Sequence, residues 1–596
     1  MRKPRLIMIA LFTLAGFALW AQDSGQPTAA SSQDAARLRL QIDELKQTVV
    51  AMEKRLEAQE SVRPSAIQKD EINATVDLQT EVKDLNERVS TAERKGLLDR
   101  LSWSGDYRFE AHSIIGNVPT HFDGMQLQNL VVKSLFYAQT NGGAFPTSVS
   151  DISNNVAANY SQYLLFTNNL KFSDLKAAVG QIPPGLQQQL FGLLMPSTLV
   201  HGYSNNNNIL QTNRLRLKFD AQVADNVSVT ARLSMYKVFG DSTGVQVFNG
   251  QPNTLNIDGT TARVPTGDML RVERVYFNWN NIAGSKLYLS IGRRPSTDGP
   301  PWNFRQDEPR GGTPSGSLID YQFDGITVGY HVSDKVSLRA CYGQGYENGF
   351  GNGSSLKAGA DRLKDVHFLG GNFDLYNTDK TFIQSTIARA WNVTDGFNGL
   401  TVLPNNPLTG DPVNAPVVMR FTPSSNLGAI DLYGLNVQKT LGQFDLYASA
   451  NWVSTRPNGT TTPFGGMMSD PFENPVNREG HMIYLGLRYN LPKGDGRTKV
   501  GFEFNQGSKY WFNFSQAEDD IIAPKSNTRG EVYETYVTHR ISDHFIFKAD
   551  YIRYNYTWSG SGWHLGAPKR LKSSPLLGFP TYDTAKMFTV GLTARF

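Results

Sequence analysis

Arg214, Arg216 and Lys218 fall at alternate positions of the stretch "NRLRLKFDAQV", with Leu215, Leu217 and Phe219 between them. In a β-strand, alternate side chains share a face, so the three cations stand in a row roughly 6.8 Å apart. Such a row attracts anions and belongs to recognition or conduction rather than to bond making. The next apolar set, Val227, Val229, Ala231, Leu233 and Met235, leaves Arg232 on the complementary face. A loop over 224–226 that keeps both polar faces on one side sets Lys218 opposite Arg232. Arg108, from the preceding strand, and Arg339, beside Cys341 on a later one, extend the water-facing set. Like charges facing each other are unfavourable, so water, counter-ions or an acidic segment must relieve them. Two readings stand: one wall of an anion-attracting constriction, or ordinary solvated charge.

The acidic segment is sought in the connector "RRPSTDGPPWNFRQDEPRGGTP", residues 293–314. Asp298, Asp307 and Glu308 are expected to face the basic wall, with Arg294, Arg305 and Arg310 interspersed and Pro300, Pro301 and Pro309 stiffening the loop. An exposed surface loop is the alternative.

Catalytic and cofactor chemistry find no footing. The sequence has no Gly-Lys dipeptide of a phosphate loop and no H-E-x-x-H. The nine histidines are scattered. Cys341 is the single cysteine, which rules out an internal disulfide, a cysteine zinc site and covalent c-type haem. Neither an enzyme nor a cofactor is therefore expected. A formal net charge of +4 over 596 residues does not indicate a nucleic-acid binder.

The elements that carry the basic row repeat with period two from Leu101 onward. Trp103, Tyr107 and Phe109 alternate with Ser104, Asp106, Arg108 and Glu110; Phe588, Val590, Leu592, Ala594 and Phe596 alternate with Thr589, Gly591, Thr593 and Arg595. Short turns near 224–226, 281–285, 332–335, 377–379, 440–442, 492–497 and 542–543 alternate with long connectors near 113–209, 239–268, 294–316, 346–364, 393–428, 456–479, 511–529 and 558–585. Short turns at one end and long loops at the other are the layout of a transmembrane β-barrel. In lipid, every strand must pair, so the sheet must close. No run after residue 20 approaches the ~18 apolar residues of a membrane helix. The expected fold is an all-β transmembrane antiparallel barrel of about sixteen strands over residues 101–596, preceded by an α-helical coiled-coil segment.

Residues 1–21 read as a signal peptide: Arg2, Lys3 and Arg5 precede an apolar run from Leu6 to Leu19. Residues 22–36 form a flexible linker. Over 37–96, Ile42, Leu45, Val49, Met52 and Leu56, then Leu78, Val82, Leu85, Val89 and Ala92, keep the three-four spacing of a self-associating seam. The first long connector contains helix-like pieces near 155–168 and 184–194, with Ser173-Asp174 as a cap. It is expected to plug the lumen, cover the mouth or contact a neighbouring subunit.

The closing stretch resembles the final strand of bacterial outer-membrane proteins, which commonly ends in Phe and is read by the insertion machinery. Phe588, Val590, Leu592 and Phe596 match that pattern. The layout resembles porins with a periplasmic coiled coil. "VERVYFNW" (Val272–Trp279) and "SIGRRPSTDGPPW" (Ser290–Trp302) resemble strand ends of a poorly characterised family of bacterial porins. The resemblance implies passive transport of small hydrophilic solutes across the outer membrane, a homotrimer, and lipid and the insertion machinery as partners. The basic row adds a modest anion preference. Two alternatives are a structural anchor to peptidoglycan through the coiled coil, and the barrel sheath of an electron-transfer conduit.

Overall fold

In the computed structural model, the described residues are 100–596 apart from 171, 241–266, 348–362, 396–398, 406–411, 422–424, 493–495, 516–517, 573–574 and 579, together with 43, 46–48, 50–55 and 83. The signal peptide, the linker and most of the coiled-coil seam lie outside the described residues. Those described between 43 and 83 are helical.

Among the described residues a single antiparallel sheet closes with sixteen strands. They are β1 (Leu101–Val118), β2 (Tyr203–Ala224), β3 (Val227–Val238), β4 (Gly267–Trp279), β5 (Leu287–Arg293), β6 (Asp324–Ser333), β7 (Val336–Tyr346), β8 (Val366–Asn377), β9 (Thr381–Thr394), β10 (Asn426–Leu441), β11 (Phe444–Pro457), β12 (Glu479–Asn490), β13 (Thr498–Gly507), β14 (Gly530–Arg540), β15 (Phe545–Tyr556) and β16 (Thr584–Arg595). Each strand neighbours the next, and β16 returns to β1. The closing pair runs from Asp106↔Arg595 to Asn117↔Thr584. Phe596 completes it: Gly105 N–H donates to the Phe596 carbonyl at 2.8 Å, and Phe596 N–H returns to Gly105 at 3.0 Å. The Phe596 ring lies so close over Gly105 that an added Cβ would stand 2.6 Å from it. Any larger residue at 105 would displace the ring.

Two compact units divide the chain. The first comprises residues 1–104, 218–230 and 277–288; the second comprises residues 105–217, 231–276 and 289–596. In the first, β2 and β3 are joined by the tight turn Asp225-Asn226. In the second, Phe239 N–H donates to the Gln211 carbonyl at 2.9 Å, which preserves the even-sum register at the long-connector end of that hairpin.

The two faces of the sheet are chemically distinct. Outward positions of β9 to β13 carry Ile387, Leu435, Leu446, Ile483, Leu485, Leu487 and Phe502, all exposed. Aromatic residues flank this band, with Trp391, Tyr433 and Trp452 toward the long connectors and Phe444 and Phe545 toward the short turns. An apolar belt between aromatic rows is the surface a closed barrel presents to lipid. No described helix is long and apolar enough to cross a membrane.

The inner face is buried by the chain's own connectors. Residues 294–323 fold inward. Trp302, in the short helix α6 (Trp302–Gln306), meets the edge of Tyr484 at 5.3 Å, and Phe304 stacks on Tyr447 at 4.9 Å. Leu318, Ile319, Trp511, Phe512 and Phe514 continue this apolar cluster against Ile430, Leu432, Val453 and Met482 of the wall. Residues 508–515 and 518–529 belong to a second inward connector, whose Ile521 and Ile522 pack with Ile114, Ile552 and Tyr554. Arg529 ties the connectors together. Its fully buried guanidinium donates to the carbonyls of Trp511 (2.8 Å) and Ser559 (3.1 Å). Burial lowers its pKa to about 9.

The connector between β1 and β2 is different in kind. Its described helices are α1 (Gly124–Thr140), α2 (Val149–Ala158), α3 (Tyr160–Asn169), α4 (Phe172–Gln181) and α5 (Pro184–Leu194). The helix expected over 155–168 is two helices that meet at Asn159, and Ser148 supplies a capping box to α2. Helix α4 begins at Phe172, so Ser173-Asp174 lie in its first turn rather than forming its cap. Leu127, Val131, Ile152, Leu175, Leu190 and Leu194 give these helices an apolar core of their own. The connector is fastened by pairing of His121–Asp123 with Leu576–Gly578 and by Lys176 Nζ to Thr461 Oγ1 at 3.0 Å.

Candidate functional site

The basic row is not solvated. Arg214 and Arg216 are buried, at 3% and 5% exposure. Strand β1 places Asp106 beside them: its carboxylate accepts from Arg216 Nε at 2.6 Å and from Arg214 Nη2 at 3.2 Å. Asp519, on the second inward connector, accepts from Arg214 at 2.7 Å and from both Nη atoms of Arg108, at 2.5 and 3.0 Å. Lys218 stands apart from this chemistry, paired with Asp220 of its own strand at 2.6 Å and about half exposed. Arg232 is held by Glu273 and, at 2.6 Å, by Asp298. Arg339 of β7 reaches Asp374 at 2.6 Å and Asn372 at 2.9 Å on β8.

The connector residues 293–314 supply much of the opposing charge. Glu308 accepts from Arg216 at 3.0 Å and from Arg595 at 3.2 Å. Asp298 bridges Arg232 and Arg274, each at 2.6 Å. Asp307 lies on the far side of the connector, against β12, β13 and β14. It accepts from Arg488 at 3.2 Å, from Arg540 at 3.0 Å and from Lys499. Burial alone would raise the Asp307 pKa. The hydrogen bond from Lys499 and the charges of Lys499, Arg488 and Arg540 outweigh burial and hold it below the ordinary carboxylate value. Arg305 points to acids rather than to the basic row: Asp520 at 2.9 Å and Glu534 at 3.2 Å. Arg294 engages Ser290 and lies over the Tyr276 ring, and Arg310 donates to Asn377 at 2.7 Å over the Phe382 ring.

These contacts form a chain of alternating charge at the short-turn end of the barrel: Asp106, Arg216, Glu308 and Arg595, then Asp307 with Arg540, Lys499 and Arg488, which reaches Asp445 at 2.8 Å. Its most exposed member is a cation, since the Arg540 side chain is 44% exposed against 5% for Asp307. Deeper in, Lys525 of the second connector is fully buried between Glu503 and Glu534, and Tyr447 and Tyr484 also donate to Glu503. Between the connector 294–323 and strands β6 to β9, a cavity of about 70 Å³ remains beside Arg294, Thr327, Cys341 and Asn372. That is room for a few waters.

Sequence reasoning missed Asp106, Arg488, Lys499, Arg540, Arg595, Asp519 and Lys525 as site residues. The strand members among them sit on the inward period-two face, which was the available signal. Asp519 and Lys525 lie in a connector with no periodicity to place them. The aromatic terminus is outward: Phe588, Leu592 and Phe596 are exposed and Val590 is half-buried. Among the described residues no group of His, Cys, Asp and Glu is arranged to hold a metal ion.

A family model described as a protein of unknown function, DUF3373, matches residues 204–596. No curated protein matches the chain. Among solved structures, the chain is similar to OprB of Pseudomonas putida at 9% identity, over 85% of this chain and 96% of that one, with a TM-score of 0.38. It is also similar to OmpT of Vibrio cholerae, an outer membrane protein, at 12% identity, over 65% and 92%, with a TM-score of 0.34.

Proposed function

The chain belongs to the DUF3373 family, described as of unknown function, and on that footing we propose from its own geometry that it is an outer-membrane diffusion channel for small hydrophilic solutes, of low conductance and with a modest preference for anions. It is a channel rather than an enzyme. The observation that carries this reading is the inward connector 294–323, cross-braced by Glu308, Asp307 and Asp298 to cations on well-separated strands. A connector held in this way narrows an aqueous barrel without closing it by an apolar plug alone. The preference is modest because nearly every lumen cation is paired. What remains comes from the exposed cation of the short-turn end, Arg540, with the half-buried Arg595 near it, which raise the local anion concentration. The short turns face the periplasm, and the heptads at 37–96 hold a homotrimer through a periplasmic coil.

Single-channel recording of the purified protein in a planar bilayer tests this. Small, well-resolved conductance steps are expected, with a reversal potential in a salt gradient displaced weakly toward anions. The filled lumen favours one other reading, a barrel that anchors the outer membrane to the cell wall and conducts little. Complete absence of steps from a correctly folded, inserted protein would establish that one instead.

A further inference from the structure

Two groups of charged residues stand on the outward face of the barrel near the long-connector end, and they differ in one respect. On β9, β10 and β11 the chain supplies its own anion. Asp431 accepts from Arg389 Nη2 at 2.7 Å and from Arg456 Nε at 2.6 Å. On β15 and β16 it does not. Arg553 and Lys586 are direct cross-strand partners. Both point outward, since their strand neighbours Ile552, Tyr554, Ala585 and Met587 are buried inside. Arg553 donates to Asn555 Oδ1 at 3.1 Å. Neither cation forms an ion pair with a described residue.

Like charges directly opposite one another in a sheet repel, and a cation on the lipid face is tolerated only near the interface. Arg553 lies eight residues along β15 from Phe545, where the strand leaves its short turn. At the usual strand rise and tilt this is roughly 20 Å up a band about 25 Å tall. The row beneath holds Tyr551↔Phe588, both exposed, and the pair's own row continues to Tyr533 and Ile115. Apolar and aromatic surface thus meets two cations at the depth of lipid headgroups, and the acid on the neighbouring strand, Glu531, accepts from the Tyr533 hydroxyl at 2.9 Å.

We propose that Arg553 and Lys586 together bind a phosphate of a phosphorylated glycolipid in the outer leaflet. Opposed residues of a pair have Cβ atoms only about 5 Å apart, so a guanidinium and an ammonium can close on one phosphate. Tyr551, Phe588 and Ile115 offer the apolar surface for its acyl chains. This inference rests on the outer-membrane reading of the barrel.

The test uses the full chain, folded in detergent and inserted in bilayers. Native mass spectrometry follows binding of a diphosphorylated lipid A, the same lipid A after dephosphorylation, and inorganic phosphate. The wild type is expected to bind the phosphorylated lipid at least about tenfold more tightly than the dephosphorylated one. Arg553→Gln with Lys586→Gln should abolish that discrimination, whereas Arg456→Gln, at the compensated group, should keep it. Lys586→Arg, which retains the charge, should restore most of it and provides a readout if the double variant folds poorly. Equal binding of the two lipids by the wild type, or discrimination surviving in the double variant, overturns the proposal. Saturation by inorganic phosphate at the same concentration as by lipid also overturns it, because the site would then be a free-anion site. If the wild type fails to enter bilayers, the membrane reading falls and takes this with it; if it inserts without discriminating, only the inference falls.

Discussion

The connector between β1 and β2 and the connector at residues 294–323 solve the same problem in opposite ways. Each must bury apolar side chains without a strand of the barrel to carry them. The first has enough length for five helices and buries Leu127, Ile152, Leu175 and Leu194 against one another. The second has only α6 and places Trp302, Phe304 and Leu318 on the barrel's inner wall. The first is therefore a module resting on the barrel, and the second is a component of the lumen. Self-sufficiency in burial separates a decoration from a constriction.

Deletion breaks this comparison most strongly. Each connector leaves its flanking backbone paired: Phe122 with Leu199, and Tyr321 N–H with the Ser296 carbonyl at 3.3 Å. Short glycine linkers can therefore replace 124–198 or 297–320. Removing 297–320 is expected to raise single-channel conductance several-fold, because the bridge that Glu308, Asp298 and Asp307 make between Arg216 and Arg232 on one side and Arg488 and Arg540 on the other is lost. Removing 124–198 should leave a folded, heat-modifiable barrel with its conductance within a factor of about two, since the lost core is separate. Equal effects of the two deletions would erase the distinction.

Point substitutions sharpen it. Trp302→Ala removes a fully buried ring from the lumen and should weaken docking of its connector by about 3–5 kcal/mol. The readout is frequent transitions to a larger conductance. Ile152→Ala should cost the helical module about 2–5 kcal/mol, visible as faster amide exchange in α1 and α2 with conductance unchanged.

A smaller effect comes from pH. His564, in the connector between β15 and β16, is wholly buried against Phe512 and bonds the Thr394 carbonyl at 2.7 Å. Burial lowers its pKa from 6.5 to about 4, against the opposing pull of that hydrogen bond. Above pH 6.5 the imidazole is neutral whether this connector is packed or open, so pH has no effect through it. Below that value the open form takes up a proton that the packed form refuses, and packing weakens progressively until about pH 4. At pH 5 the loss is roughly 2 kcal/mol. Hydrogen exchange of residues 557–572 should rise over this window in the wild type and stay flat in His564→Gln.

How far the sequence reveals these features depends on periodicity. The sixteen strands, their turns and the inward face of Arg214, Arg216 and Arg232 follow from period two and from the alternation of connector lengths. The pairing of Glu308 with Arg216 and of Asp298 with Arg232 was foreshadowed by the acidic content of residues 293–314. Asp307 was placed on the wrong wall, because nothing local says how far a loop reaches across a lumen. The burial of the basic row was also hidden. It depends on Asp519, which lies more than three hundred residues from Arg214 in a segment without a pattern.

The smallest expected effect separates the basic row from the short-turn end as the source of selectivity. Lys218 pairs with Asp220 in an exposed setting, where such a pair is worth about 0–1 kcal/mol. Lys218→Gln should therefore leave both stability and reversal potential unchanged. Arg540 also has an exposed side chain, but its partner Asp307 is buried and is shared with Lys499 and Arg488. Arg540→Gln removes a water-facing cation while leaving that carboxylate compensated. The reversal potential in a salt gradient should then move a few millivolts toward cations, with little change in conductance, the modest size reflecting screening within about 10 Å at 0.1 M salt. A larger shift for Lys218→Gln than for Arg540→Gln would return selectivity to the row that the sequence first displays.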